Sequence, residues 1–392
     1  MNSIELFAGA GGLALGVSMA GFRSQAIIEL NKWACDTIKE NQIRGFSLVQ
    51  QWPLWIGDVH NFNFSEISNI IDLLAGGPPC QPFSVGGKHR AFYDRRDMFP
   101  STIDIIRKLR PKTFIIENVK GLMRSSFLNY YQYILLQLEY LDIPRKDGET
   151  WMEHMKRLQE EKTSGIFRTT DISYNVIPTL VNAADYGVPQ KRERVFIVGI
   201  RADLNIKWSF PQPTHSLDAL LYSQWKSGEY WDRHKISQIK SVDISYSIAK
   251  INKNMDFYAG PPTKQPWVTI RDAFIDLPDP RHNDKQLINN HIFQNGARIY
   301  KGHVGSVLDF PAKTLKAGDH GVPGGENMMV LDSGEVRYFT VREAARLQTF
   351  PDDYIFHGSW TETMRQLGNA VPVNLSYIVA KSIADKLIHE QY

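Results

Sequence analysis

Along the first two hundred residues, short apolar runs ending on glycine, proline or a carboxylate alternate with longer stretches of mixed polarity. Ser3 to Phe7 predicts a strand, and the glycine turn Ala8 to Gly16 leads from it into an apolar helix ending near Gly21. Gln25 to Ile28 predicts a second strand that delivers Glu29. The run Ile70 to Leu74 has the length of a strand buried on both faces, and Pro78 and Pro79 stop it sharply. Thr113 to Ile116 reads as a further buried strand, and Tyr174 to Leu180 and Val195 to Ile200 as strands, with a helix over Leu122 to Leu141. Near the far end, Leu375, Ile378, Val379, Ser382, Ile383 and Leu387 fall on one side of an amphipathic helix. Strands alternating with helices predict an α/β fold, whose ligands sit at the carboxyl ends of the strands.

From about Asp203 to Val330 the pattern changes: Pro211-Gln212-Pro213, Pro261-Pro262, Trp267 and the glycine-rich stretch Lys316 to Gly325 lie among aromatics and amides with little helical periodicity. A chain of 392 residues is long for one core, so two domains are expected. The charged stretch Arg145 to Lys162 reads as a surface insertion.

Composition narrows the picture only a little. With 43% hydrophobic and 22% charged residues the chain is ordinary for a globular protein, and a net charge of +3 is compatible with a nucleic-acid partner without requiring one. Its two cysteines, Cys35 and Cys80, form no Cys-x-x-Cys pair, so neither a disulfide framework nor a cysteine-rich metal site is expected. The N-terminus lacks the regions of a signal peptide, and no apolar run reaches bilayer length. These features imply a reducing, cytoplasmic setting and no membrane partner.

The candidate chemistry centres on Gly76-Gly77-Pro78-Pro79-Cys80-Gln81-Pro82-Phe83-Ser84. A lone cysteine is usually a small buried hydrophobe, but Cys80 sits in a turn between prolines at the end of a strand, where ligands bind. The turn Phe7-Ala8-Gly9-Ala10-Gly11-Gly12 lets backbone approach a ligand closely, yet its spacing is not the dinucleotide fingerprint, whose third glycine would fall at Ala14. Glu29, about twenty residues after the first glycine, is placed to accept ribose hydroxyls. The alternative for Glu29 is an acid at the start of the next helix.

Pro79-Cys80-Gln81 resembles the nucleophile motif of the DNA cytosine-C5 methyltransferases, and the other motifs of that family follow in order. They are the glycine loop, Gly57-Asp58-Val59, Glu117-Asn118-Val119, Gln190-Lys191-Arg192-Glu193-Arg194, Thr314-Leu315, the helix from Thr340 to Gln348, and Gly368-Asn369-Ala370-Val371. The resemblance implies a class I, Rossmann-like S-adenosylmethionine-dependent methyltransferase domain at residues 1–202 and 335–392. A smaller, irregular, mostly β target-recognition domain is implied at 203–334.

By that resemblance S-adenosylmethionine, leaving as S-adenosylhomocysteine, meets Phe7, Ala8, Gly9, Gly11, Gly12, Leu13, Glu29, Leu30, Asp58, Val59, Pro79, Asn369, Ala370 and Val371. Asp58 would take the adenine amino group. Cys80 would attack C6 of a cytosine flipped from duplex DNA, since only addition of a thiolate turns C5 into a nucleophile. Glu117 would protonate N3 with Asn118 supporting the pocket, Arg194 would grip O2, and Arg192 would help hold loop or backbone. Gln81, Ser84, Lys88, Arg90, Arg95, Arg96, Thr314 and Leu315 would face DNA, the basic ones from a glycine-hinged lid that meets phosphates. A monomer working beside a restriction endonuclease completes the expectation. Three alternatives remain open. A branch of the family methylates cytosine in tRNA, and a nicotinamide dehydrogenase and a non-catalytic DNA-binding module are the others.

Overall fold

A computed structural model describes residues 1–67, 69–79, 97–164, 172–237, 261–282, 288–299, 304–317 and 327–389. Its centre is a seven-stranded sheet: β1 (Asn2–Leu6), β2 (Arg23–Glu29), β3 (Leu54–Ile56), β4 (Leu73–Gly76), β5 (Thr113–Val119), β6 (Tyr174–Asn182) and β7 (Glu193–Arg201), in the order β3-β2-β1-β4-β5-β7-β6. The first five run parallel, and β7 pairs antiparallel with both β5 and β6. The direction of winding reverses between β1 and β4, and the crevice at the carboxyl ends of that pair is where a doubly wound sheet binds ligands.

Period-two alternation splits each central strand between two cores. Leu74, Phe114, Ile116, Val195 and Ile197 join the helices α3 (Phe99–Leu109) and α4 (Leu128–Glu139) on one face. Leu73, Ala75, Ile115, Phe196 and Val198 join α1 (Gly12–Met19) and the C-terminal helix Val373–His389 on the other. In that C-terminal helix Leu375, Val379, Ile383 and Leu387 are buried, as the amphipathic pattern predicts. A Cβ on Gly16 would lie 2.4 Å from both Ser376 Cβ and Tyr377 N, so α1 and this helix pack at a distance only glycine permits.

Several boundaries differ from the sequence-based expectation. The strand before Cys80 begins at Leu73, three residues late, because Ile70 is exposed and Asp72 is held by Lys112 at 2.7 Å and by the Asn2 N–H. It includes Gly76, whose Cβ would meet the Leu6 carbonyl oxygen at 2.9 Å. β5 runs on to Val119, so Glu117 and Asn118 lie within a strand and not beyond it. The helix expected over Leu122 to Leu141 is two short 3-10 turns followed by α4. Part of the charged stretch forms α5 (Trp151–Ser164), which packs on α4 through buried His154, bonded to Tyr133 at 2.9 Å.

Beyond β7 the chain forms short elements. Helices α6 (Leu217–Trp225) and α7 (Glu229–His234) were hidden from periodicity because Ser223 and Gln224 are buried among the apolar residues. A three-stranded sheet joins Ser306–Val307, Met328–Val330 and Val336–Tyr338, and so straddles residue 334. Ile206, Trp208 and Phe210 still pack in the core beside the C-terminal helix. The helix Val341–Leu347 starts at a Thr340–Glu343 capping box, and Glu343 also takes both terminal nitrogens of buried Arg337. Among the described residues no helix is long and apolar enough to cross a membrane.

Candidate active site

The crevice above β1 and β4 opens into a cavity of about 830 Å³. Its first wall is the turn between β1 and α1, where Phe7, Gly9 and Gly11 take positive φ values of 56°, 56° and 88° and swing the chain over the strand ends. Glu29, at the end of β2, ties this turn down: its two oxygens accept the N–H groups of Gly9 and Asn31, each at 2.6 Å. Burial raises the Glu29 carboxyl above the usual range, and those N–H groups oppose the rise. Helix α2 (Lys32–Ile43) has its own cap, with the Asn31 side chain accepting from Ala34 N–H at 3.1 Å. Glu29 is therefore not the cap.

Asp58 follows β3 and also lines the cavity, its carboxyl half-exposed. The opposite wall is the helix Trp360–Asn369 with its exit, Asn369-Ala370-Val371. That exit abuts the start of α1 so closely that a Cβ on Gly12 would lie 2.4 Å from the Val371 carbonyl oxygen. Phe7, Ala8, Gly9, Gly12, Leu13, Leu30, Val59 and Pro79 all line the cavity as expected, whereas Gly11 does not. Gly11 instead turns the chain into α1, with a Cβ position 2.9 Å from Trp52.

Glu117 and Asn118 stand at the other end, beside the segment Gly77-Pro78-Pro79. Asn118 Nδ2 donates to the Pro78 carbonyl at 3.1 Å, and its Oδ1 accepts from Val119 N–H at 2.9 Å, so it braces the segment that leads to Cys80. Antiparallel pairing sets Arg194 opposite Val119, and its Nε lies 2.8 Å from Glu117 Oε1. Both side chains are nearly buried and both face the cavity. Burial raises the Glu117 carboxyl, with Arg194 and then Arg192 pulling the other way.

Arg192 does not reach this space. Fully buried, it donates to the carbonyls of Leu315 at 3.2 Å, Gly368 at 2.7 Å and Ala370 at 2.9 Å. Its guanidinium holds backbone, as the second half of its expected role had it, and touches no cavity surface. Thr314 Oγ1 donates to the Lys191 carbonyl at 2.7 Å and Leu315 N–H to Gln190 Oε1 at 3.1 Å. Leu315 is buried, so a DNA-facing role does not fit it; the pair fastens the irregular region to the sheet. Cys80, Gln81, Ser84, Lys88, Arg90, Arg95 and Arg96 lie outside the described residues.

Sequence reasoning overlooked Glu5, Glu362, Arg365 and Gln366, all on the cavity wall. Glu362, Arg365, Gln366 and Asn369 share the i, i+3, i+4, i+7 spacing of one helix face, a signal that was present in the sequence.

The family model for C-5 cytosine-specific DNA methylases matches residues 1–142 and 152–385. The chain belongs to this family. Only residues 143–151 fall between the matched stretches, so the departure from the family is narrower than Arg145 to Lys162. The type II methyltransferase M.PspPI of Psychrobacter is 32% identical over 97% of this chain and 78% of its own length. M.Eco47II of Escherichia coli is 31% identical over 98% and 79%, and M.NgoMIV of Neisseria gonorrhoeae 29% over 99% of both. The Dnmt2 methyltransferase of S. pombe superimposes with a TM-score of 0.55 at 17% identity, over the whole of both chains, a likeness of fold.

Membership in this methylase family implies S-adenosylmethionine as methyl donor, and the cavity suits it. The volume is that of a small-molecule site, and Glu29 and Asp58 supply acceptors where a nucleoside would need them. Buried Glu5 Oε2 on the same wall has no hydrogen-bond partner among the described residues, and burial raises its carboxyl well above the usual range, which leaves a polar atom free to meet the ligand.

Proposed function

We propose that this DNA methylase acts on cytosine C5 within a specific duplex site through Cys80, Glu117 and Arg194, and that it protects host DNA beside a restriction endonuclease. One observation carries the reading of the site: a single cavity is bounded at one end by the glycine turn, Glu29 and Asp58, and at the other by Pro79, Glu117 and Arg194. A methyl donor held at the first end and a flipped base at the second share one cavity. The type II names of the relatives support the duplex-DNA substrate over tRNA, and their bacterial sources support a cytoplasmic setting.

In this reading Glu29 holds the ribose, Asp58 the adenine amino group, and Asn369 to Val371 close over the donor. The thiolate of Cys80 adds to C6 of the flipped cytosine while Glu117 gives a proton to N3, so negative charge does not accumulate on the ring. Arg194 lies beside Glu117, where it can both orient that carboxyl and meet the base carbonyl O2. Bound S-adenosylmethionine supplies the electrophilic methyl group that the enamine carbon C5 accepts. Removal of the C5 proton then expels Cys80 by elimination. Asn118 acts on the loop, through the Pro78 carbonyl, and not on the base. We assign 203–334 to target recognition.

Bisulfite sequencing of DNA from cells expressing the protein tests activity, base and site together. A duplex with 5-fluorocytosine at that site traps the wild type covalently, since fluorine cannot leave as a cation, and Cys80→Ala abolishes both trapping and turnover. Substantial methylation by that variant, or methylation of tRNA alone, would overturn the proposal.

A further inference from the structure

The carboxyl of Asp58 is not free to rotate. His60 binds one of its two oxygens twice: the backbone N–H donates to Oδ1 at 3.0 Å and the imidazole Nδ1 lies 2.7 Å from the same atom. The other imidazole nitrogen, Nε2, lies 2.7 Å from Ser101 Oγ in the first turn of α3. With the ring neutral the arrangement has one consistent reading: the Ser101 hydroxyl donates to Nε2, which puts the proton on Nδ1, and Nδ1–H donates to Oδ1. Asp58 Oδ2 accepts no hydrogen bond from any described residue, and Asp58 lines the cavity. An Asx turn needs only the backbone bond to Oδ1. The ring bond and its Ser101 anchor add nothing to that turn, and what they do is fix the plane of the carboxylate.

We infer that His60 is a positioning residue, with Ser101 behind it, that turns the Asp58 carboxylate so that Oδ2 faces the cavity as a preset acceptor for the exocyclic amino group of the donor's adenine. The inference rests on the assignment of Asp58 to the adenine. A carboxylate held by two hydrogen bonds from His60, whose ring is itself anchored on Ser101, loses little rotational freedom when the base arrives, and it repels a base that carries a carbonyl in place of the amino group. The low pKa direction of Asp58, caused first by the His60 N–H and then by its ring, keeps that acceptor ionised. His60 is half-exposed, so its truncation leaves the core untouched.

Calorimetry with S-adenosylhomocysteine and its deaminated analogue S-inosylhomocysteine tests this, because only the first carries the amino group. The wild type prefers the adenosyl ligand, and Asp58→Ala collapses the preference by about tenfold to a hundredfold, the range of one charge-assisted hydrogen bond. His60→Ala lowers the preference by roughly three- to tenfold without weakening the inosyl ligand, short of the loss at Asp58 because the backbone bond survives. Ser101→Ala gives a smaller loss in the same direction. His60→Asn, whose amide nitrogen can take the place of Nδ1, restores most of the preference. If Asp58→Ala collapses the preference while His60→Ala leaves it alone, or weakens both ligands equally, the positioning role is wrong although the adenine assignment stands. If Asp58→Ala leaves the preference unchanged, the assignment fails and the inference with it.

Discussion

At Glu117 burial and charge act in opposite directions. Enclosure raises its carboxyl pKa, and the Arg194 guanidinium at 2.8 Å lowers it, with burial the larger influence. A raised carboxyl keeps its proton below the ordinary value and gives it up as pH climbs through the higher folded value. An acid that must donate to N3 is therefore available at low pH and lost on the alkaline side. Single-turnover methylation is expected to fall as pH rises through that value, and Glu117→Gln to lose the limb while slowing the reaction by about a hundredfold to ten-thousandfold. Rapid-quench rates across pH, with DNA affinity measured in parallel, check this. A loss confined to affinity would make Glu117 structural. At this scale much of the site was legible, because motif residues such as Glu29 and Glu117 sit at strand ends whichever way their side chains turn. Arg192 and Leu315 were not. Arg192 is buried against carbonyls some 120 to 180 positions away, and no local pattern carries contacts of that range.

Elements were legible where apolar runs are buried on both faces, as in β5 and β7, and less so where polar groups are buried for tertiary reasons. Asp72 shortens β4 because Lys112 pairs with it, and Ser223 and Gln224 disguise α6. The close contact of α1 with the C-terminal helix was hidden for another reason. Gly16 looks like part of a ligand-binding turn in sequence, yet it does not line the cavity. It is needed because Ser376 and Tyr377 occupy the place of a side chain. Gly16→Ala must push two helices apart, and overpacking of this kind costs about 1 to 3 kcal/mol. Urea unfolding should show that loss while S-adenosylhomocysteine affinity, measured well below the transition, stays within about threefold of wild type. A large fall in affinity with unchanged stability would mean that Gly16 acts on the cavity after all.

In the whole molecule, residues 312–315 fasten the irregular region to the segment that leads into β7. Gln190 receives the Leu315 N–H, Thr314 caps the Lys191 carbonyl, Ala312 N–H donates to the Pro189 carbonyl at 2.9 Å, and Arg192 gathers carbonyls from both sides. The three-stranded sheet also draws in Val336–Tyr338, and residues 206–210 remain on the catalytic body. The change of pattern from about Asp203 to Val330, with the family resemblance, put the junctions at 203 and 334, because neither registers where side chains pack. This fixes how specificity should be moved. A bidentate contact to a base edge is worth about 1 to 3 kcal/mol of discrimination, so target choice can pass with the region that makes such contacts while the chemistry stays behind. A graft of residues 211–311 from a relative of different target, keeping this chain's 312–315 and everything from Met328 onward, retains the bonds of Ala312, Thr314 and Leu315 to residues 189–192 and replaces those of Trp267, Asn290 and His291 to Asp185, Phe356 and Thr340. That chimera is expected to methylate the donor's site at a rate within about tenfold of the parent, since Glu117 and Arg194 are untouched. A graft cut at 203 and 334 also parts Met328–Val330 from Val336–Tyr338 and takes Trp208 and Phe210 from their core, and it should unfold at lower urea. Bisulfite sequencing reads the target and denaturation the stability. An active chimera that kept the parent's site would place the readout outside residues 211–311.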